Sequence, residues 1–375
     1  MARAWADVDL GAIRANVATL RDRAGGVALC AVVKADGYGH GAVPVARAAL
    51  AGGASVLGVA QVPEARALRE AGVDARILLL SEPRPDEVAE AVGLDLDVAA
   101  YRSEVVQALA GAATRARPTR VHVKVDTGMH RVGAPPHDVV ALAGQVDAAP
   151  TLELSGLWTH CAVADEPGDP YTDRQLDLFE AAVDAVEAAG LHPVLRHAAN
   201  SAAAICHPRS RFDMVRCGIA VYGIPPAPGL AGEVALSPAL RLASEVAFVK
   251  RVAAGERISY GLRHGFGHDS VVATVPVGYA DGVRRDLGLR GQEVLVGGVR
   301  RPIVGVVTMD QLMVDCGPSA TVGVGDEVVL LGGQGDERIS PDEWAARAGT
   351  ISYEVVCAIG ARVERRYPGA EGAGG

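Results

Sequence analysis

Lys34, Lys124 and Lys250 are the only lysines in a chain of 375 residues that carries thirty-three arginines. A guanidinium keeps its proton at any physiological pH, whereas an ε-amine can lose it, act as a base or condense with an aldehyde. A lysine kept in so arginine-rich a sequence marks a place where charge does not substitute for an amine. Lys34 has the setting for such chemistry. It ends the apolar run Ala31-Val32-Val33 and leads into Ala35-Asp36-Gly37-Tyr38-Gly39-His40-Gly41, a glycine-punctuated turn. An amine buried at a strand end is desolvated, its pKa falls, and it becomes fit to form a Schiff base. The bland alternative is a lysine snorkelling from a strand edge; the scarcity of lysine and the turn that follows favour the reactive reading.

The elements that must position Lys34 follow a strand–helix rhythm. Short apolar strands are expected at 29–34, 55–60, 77–81, 96–100, 121–126, 155–160, 194–198 and 213–217, with amphipathic helical patterns between them, for example at 63–71 and 173–183. Eight such units in a little over 200 residues match a (β/α)8 TIM-like barrel. An open doubly wound sheet would call for a Gly-x-Gly-x-x-Gly turn opening a helix, and none does so here.

A barrel places its active site at the C-terminal ends of its strands, with phosphate groups in the loops after the seventh and eighth. The unusual polar residues fall there. Lys34 closes the first expected strand, Asp126-Thr-Gly-Met-His-Arg131 follows the fifth, and His160 closes the sixth. His197-Ala-Ala-Asn-Ser201 follows the seventh, and Arg216-Cys-Gly218-Ile219-Ala ends the eighth. Ser201 with the backbone N–H groups of Gly218 and Ile219 would make a neutral cradle for a phosphate dianion. A reactive lysine on the same rim as that cradle implies pyridoxal 5′-phosphate as cofactor. Arg216 facing the cofactor ring would leave its nitrogen unprotonated and weaken it as an electron sink. That favours removal and return of an α-proton over transamination.

Several segments resemble the bacterial alanine racemases, enzymes with a barrel-type fold. They are Ala31–Gly41, Val125–Gly133, Asp213–Gly223, Ile258-Ser-Tyr-Gly261, Val277–Gly282, Met309-Asp-Gln311 and Ile351-Ser-Tyr-Glu354, and the likeness runs from Trp5 to about Arg362. The resemblance implies interconversion of L- and D-alanine by two bases on opposite faces, Lys34 and Tyr260, supplying D-alanine for peptidoglycan. It implies a homodimer with shared active sites, Tyr260 and the Met309 backbone N–H coming from the partner subunit. Arg131 and Met309 would bind the substrate carboxylate. Tyr38, Ser201, Gly218, Ile219 and Tyr353 would contact the cofactor phosphate, and His160 would link Tyr260 to Arg216, with His197 beside them. Tyr353 and Tyr279 would narrow the entrance, though Tyr279 reads equally as core packing. Some members carry a carbamylated lysine where this chain has Lys124; a plain barrel lysine is the alternative. Lys250 reads as an exposed strand position.

Beyond the rim segments, Pro225-Pro-Ala-Pro-Gly-Leu-Ala-Gly232 is a linker composition. Two domains are therefore expected, a cofactor-binding barrel over 1–232 and a mostly β domain over 233–375 that contributes to the partner's site. Strand-like runs lie at 242–252, 271–277, 301–307 and 326–331, and one helix signal at Ser340-Pro-Asp-Glu-Trp. A net charge of −9 argues against a nucleic-acid partner. No apolar stretch approaches the ~18 residues of a membrane span. The first residues lack the apolar core of a secretory signal. Six scattered cysteines without a Cys-x-x-Cys pair suit reduced core thiols, so a cytoplasmic protein with no metal is expected. The rival activities are a broad-specificity amino-acid racemase and, further off, a pyridoxal-phosphate decarboxylase of the same architecture. The decarboxylase would need a distal-amine acid and a β-domain cysteine acid, and no matching motif stands out. A metal-assisted aldolase would need a Cys/His set, and a barrel that merely carries the cofactor would not need Tyr260.

Overall fold

The chain's first strand, β1 (Ala4–Val8), does not join the barrel. The computed structural model describes residues 3–369, which divide into two compact units. One holds Gly11–Gly37 and Ala42–Ser237; the other holds the residues through Leu10, Tyr38–Gly41 and those from Pro238 onward.

The first unit is the barrel. Its strands are β2 (Ala28–Val32), β3 (Val56–Val59), β4 (Arg76–Leu79), β5 (Asp97–Ala100), β6 (Thr119–Lys124), β7 (Leu152–Trp158), β8 (Leu195–His197) and β9 (Met214–Cys217). All eight fall on the apolar runs read from the sequence. They pair in parallel from β2 to β8 in chain order, and β9 pairs with β2. No ladder joins β8 to β9, but the amides of Asp213 and Arg216 donate to the carbonyls of Arg196 and Ala199, each at 3.0 Å, so the sheet is nearly closed. Helices pack outside on amphipathic faces. In Tyr171–Ala188 the buried Leu176, Phe179, Val183 and Val186 recur three or four residues apart, the stripe a helix needs to cover a sheet. The ladder between β6 and β7 slips by a residue after Val121, which sets His122 opposite Gly156. A Cβ on Gly156 would lie 2.2 Å from His122 Nδ1, so the glycine makes room for that ring.

The second unit is mostly β. Here β1 runs antiparallel to Leu240–Glu245, with Ala4 opposite Ser244, and parallel to Glu364–Arg366. The sheet extends through Glu327–Gln334 to the hairpin of Glu293–Val296 and Val299–Pro302. A three-stranded sheet is formed by Phe248–Val252, Ser270–Val275 and Leu312–Asp315. Leu242, Val275, Leu295, Val329, Leu331 and Trp344 belong to its core. The helix read at Ser340 runs over Pro341–Ala348, and the Ser340 hydroxyl accepts the Glu343 amide at 3.0 Å as its N-cap. Residues through Leu10 were expected with the barrel, and the boundary was expected at 232. The backbone groups of β1 instead find their partners on strands beyond residue 238. Among the described residues no helix is long and apolar enough to cross a membrane, and no cluster of His, Cys, Asp and Glu could hold a metal ion.

Candidate active site

Past β2 the chain stays extended for one residue, the Val33 amide donating to Gly58 at 2.8 Å, and then reaches the half-buried Lys34. Ala35, Asp36 and Gly37 follow with φ of 52°, 50° and 60° and ψ of 51°, 49° and 46°, a left-handed turn. Tyr38 and Gly39 keep φ positive at 52° and 79°. Left-handed backbone costs an L-residue about 1–2 kcal/mol, so neighbours must hold it. The Ala35 amide donates to Glu64 Oε1 at 2.7 Å, Asp36 Oδ1 accepts from the Ala42 amide at 2.8 Å, and the Gly37 amide closes on the Val33 carbonyl at 2.9 Å. The turn stops the strand at Lys34 and fixes where its side chain leaves the barrel.

Around the rim, β6 ends at Lys124, which is buried with its Nζ 4.4 Å above the Trp158 ring. Burial, then the charges of Arg216 and Arg131, push its pKa down to about 7 against the opposing pull of Asp126; Lys34 adds to the depression. Arg131 is exposed and follows a turn in which Asp126 Oδ1 accepts the amides of Gly128 and His130, both at 3.0 Å. His160 follows β7, and burial with the charges of Arg216, Lys124, Arg131 and Lys34 holds its imidazole well below the usual range. The same charges thus act on one another, and Lys34, Lys124, Arg131, His160 and Arg216 share one field.

Arg216, on β9, is buried with its guanidinium 4.7 Å from the centre of Trp158. Nη2 donates to the carbonyls of Thr159 at 2.8 Å and Ala198 at 3.0 Å and meets His160 Nδ1 at 3.2 Å; Nη1 meets His197 Nδ1 at 2.8 Å. Burial lowers its pKa to about 10 against the opposing pull of Cys30, Cys161 and Cys217, so it stays charged at neutral pH. A guanidinium only donates, so both imidazole Nδ1 atoms accept. Beside it the Gly218 amide donates to Ser201 Oγ at 2.8 Å, and Ser201, Gly218 and Ile219 are all buried at the ends of β8 and β9.

Tyr38, Tyr260, Tyr279, Met309 and Tyr353 belong to the β-rich unit. The Tyr38 and Tyr353 rings lie 6.3 Å apart. Tyr260 is 71% exposed and sits on a turn with positive φ at Ser259, Gly261 and Leu262. Ser259 Oγ pins that turn to the Val306 carbonyl at 2.7 Å. Tyr279 and Met309 are exposed too, which removes the core-packing reading of Tyr279. With Tyr260, Thr308, Asp310 and Gln311 they line an open cleft of 730 Å³. Lys250 is exposed on its strand, as read.

Sequence reasoning missed Asp97, His122 and Trp158. The His197 ring stacks on Trp158 at 5.5 Å, and His122 Nδ1 lies 2.9 Å from His197 Nε2. The available signal was a polar side chain inside an apolar strand, Val121-His122-Val123.

A nearly closed parallel barrel with an amine, two imidazoles and a buried guanidinium at one rim is an enzyme scaffold. The family described as alanine racemase matches with its N-terminal domain over residues 8–226 and its C-terminal domain over 239–367. The alanine racemase of Symbiobacterium thermophilum is 50% identical over 366 residues, 97% of each chain. That of Thermobifida fusca is 46% identical over 371 residues, 98% of each. The crystal structure of alanine racemase from D-cycloserine-producing Streptomyces lavendulae is similar at a TM-score of 0.92, with 43% identity over 98% of each chain. The chain belongs to the alanine racemase family, pyridoxal-phosphate-dependent isomerases that racemise alanine.

Proposed function

We propose that the protein interconverts L- and D-alanine in the cytoplasm, with Lys34 and Tyr260 as bases on opposite faces of the substrate, and supplies D-alanine for peptidoglycan. The observation that carries this reading is the convergence of Lys34, Lys124, Arg131, His160 and Arg216 in one field at the barrel rim, with the Ser201–Gly218 pair beside it.

The donor set fits pyridoxal 5′-phosphate. Lys34 would supply the amine, Ser201 with the Ile219 N–H and the Gly218 N–H that here donates to Ser201 Oγ a neutral phosphate cradle, and Arg216 a donor toward the ring nitrogen in place of an acid. Tyr38 and Tyr353 would add hydroxyls to the phosphate, and His197 supports Arg216. When bound, the cofactor withdraws electrons from the substrate α-carbon and makes its hydrogen acidic.

Arg131 binds the substrate carboxylate, helped by the Met309 backbone N–H of a second copy. Lys34 Nζ takes the α-proton of D-alanine, and Tyr260 Oη holds the proton for the opposite face. A free phenol of pKa ≈ 10 is a poor base near pH 7. His160 lowers that barrier: with Nδ1 accepting from Arg216, its neutral ring carries the proton on Nε2 and can donate to the phenolate. Tyr260, exposed on its own unit, is suited to complete the site of a partner in a homodimer.

Borohydride reduction of the purified, cofactor-loaded protein followed by peptide mapping tests the assignment. Label is expected on Lys34; label on Lys124 or Lys250 overturns it. Lys34→Arg is expected to abolish turnover although charge is kept, because a guanidinium cannot bond covalently to the aldehyde.

A further inference from the structure

The interior of a (β/α)8 barrel is ordinarily filled with branched apolar side chains. Here a polar row crosses it. Asp97 on β5, His122 on β6, His197 on β8 and Arg216 on β9 are each no more than 3% exposed. Burying four such groups is costly unless each is paired, and the proposed reaction employs only the Arg216 end.

The two ends of the row fix where its protons lie. Arg216 Nη1 donates to His197 Nδ1 at 2.8 Å. Neutral His197 therefore carries its proton on Nε2 and gives it to His122 Nδ1 at 2.9 Å. His122 then carries its proton on Nε2, which lies 3.3 Å from Asp97 Oδ2, within ion-pair reach though short of hydrogen-bond geometry, and no other acceptor meets it among the described residues. A carboxylate only accepts, so every hydrogen along the row points toward Asp97. The opposite polarity would set His197 Nδ1–H against an Arg216 N–H, donor against donor. A protonated His122 fails in the same way, because it would force His197 Nε2 to accept and move its proton to Nδ1.

The far end is built to stay anionic. Arg76 Nε donates to Asp97 Oδ2 at 3.0 Å and Arg120 Nε to Oδ1. Burial raises the Asp97 pKa, but His122, Arg120 and Arg76 more than offset it and hold the carboxyl well below the usual range. Gly156 seats the His122 ring from the neighbouring strand.

The geometry assigns Asp97 and His122 as positioning residues for the reaction: Asp97 anchors the polarity of the row, so that His197 presents a lone pair that holds Arg216 at the rim. The catalytic consequence rests on the function proposed above, in which Arg216 serves the cofactor ring.

The test uses full-length protein labelled with ¹⁵N-histidine, with and without pyridoxal 5′-phosphate. Multiple-bond ¹H–¹⁵N spectra report the tautomer of each ring independently of activity. His122 and His197 are both expected neutral with the proton on Nε2. Either ring found as the Nδ1–H tautomer or as imidazolium overturns the assignment, whether or not the cofactor binds. Asp97→Leu removes both the anion and the acceptor facing His122 Nε2; asparagine would not, since the two Arg76 donors to Oδ2 would hold an amide oxygen there. The expected result is loss of the Nε2–H tautomer in His122, with kcat lowered about 10–100-fold, the scale seen when groups that orient a buried ligand are lost. The KM for alanine, set by Arg131, should stay within about twofold. Unchanged tautomers, or a changed His122 tautomer with unchanged kcat, overturn the positioning role. Where Asp97→Leu does not fold, the native tautomers alone decide. A protein that shows them yet fails to take cofactor on Lys34 leaves the row intact and sinks the functional reading instead.

Discussion

Replacing Lys124 by methionine in carbonate-free buffer tests how the rim sets its charges. The amine is 4% exposed, and its pKa falls from 10.5 to about 7 through burial and the nearby Arg216 and Arg131. Because the folded pKa lies below the unfolded one, the protonated amine opposes folding. That penalty is full below pH 7, shrinks as pH rises toward 10.5 and is gone above it. At about 1.4 kcal/mol per tenfold in acidity, the fully charged amine costs about 5 kcal/mol. At pH 7, where half the amine is neutral in the fold, the cost is about 4 kcal/mol. Methionine removes this term but gives up the cation held 4.4 Å over Trp158, a contact worth about 2 kcal/mol in a dry site. Urea unfolding at fixed protein concentration should therefore find Lys124→Met about 2 kcal/mol more stable than the parent at pH 7, with the gap closing toward pH 10. A variant no more stable at pH 7, or a gap that does not change with pH, would refute a desolvated amine among cations. A neutral amine in the field of two guanidinium groups is also poised to add CO2, releasing one proton and becoming a carbamate anion. Labelled bicarbonate should then give a carbamate ¹³C signal in the parent protein and none in Lys124→Met.

Two further outcomes follow from dividing the bases between units. Tyr260→Phe should slow wash-in of solvent deuterium at the α-carbon of L-alanine by ~10²–10⁴-fold while Lys34 still exchanges D-alanine; equal loss for both enantiomers would indicate one shuttling base. Mixing inactive Lys34→Ala and Tyr260→Phe proteins should restore about a quarter of parental activity, since half the randomly paired dimers are hybrids with one intact site of two. No recovery despite proven subunit exchange would count against a shared site.

The barrel was legible because most of its strands are short, largely apolar runs at regular spacing, and the rim residues because strand ends are where a barrel places chemistry. β1 was not: Trp5-Ala-Asp-Val is a weak pattern, and its partners lie more than 230 residues away. Single-sequence reading has no access to such a pairing. Tyr38 looked like part of the lysine turn, yet Tyr38–Gly41 belongs with the β-rich unit. His122 and Asp97 escaped because the expectation of an apolar barrel core gave no reason to look inside it. The left-handed backbone at Ala35 and Asp36 was hidden too, since glycine spacing marks a turn without saying that non-glycine residues share its conformation.

The placement of β1 also sets a timetable. A ribosome adds about 5–20 residues per second, so Ala4–Val8 waits roughly ten to fifty seconds before Leu240–Glu245 is made. Its parallel neighbour Glu364–Arg366 comes later still. All eight barrel strands are synthesised within that interval. The nascent chain therefore carries an unpaired strand ahead of the barrel while a complete barrel sequence is already available to fold. Such an edge invites pairing with another chain, and two of its five residues are alanine and one is aspartate, a composition poor in β-propensity that makes it a weak template while it waits.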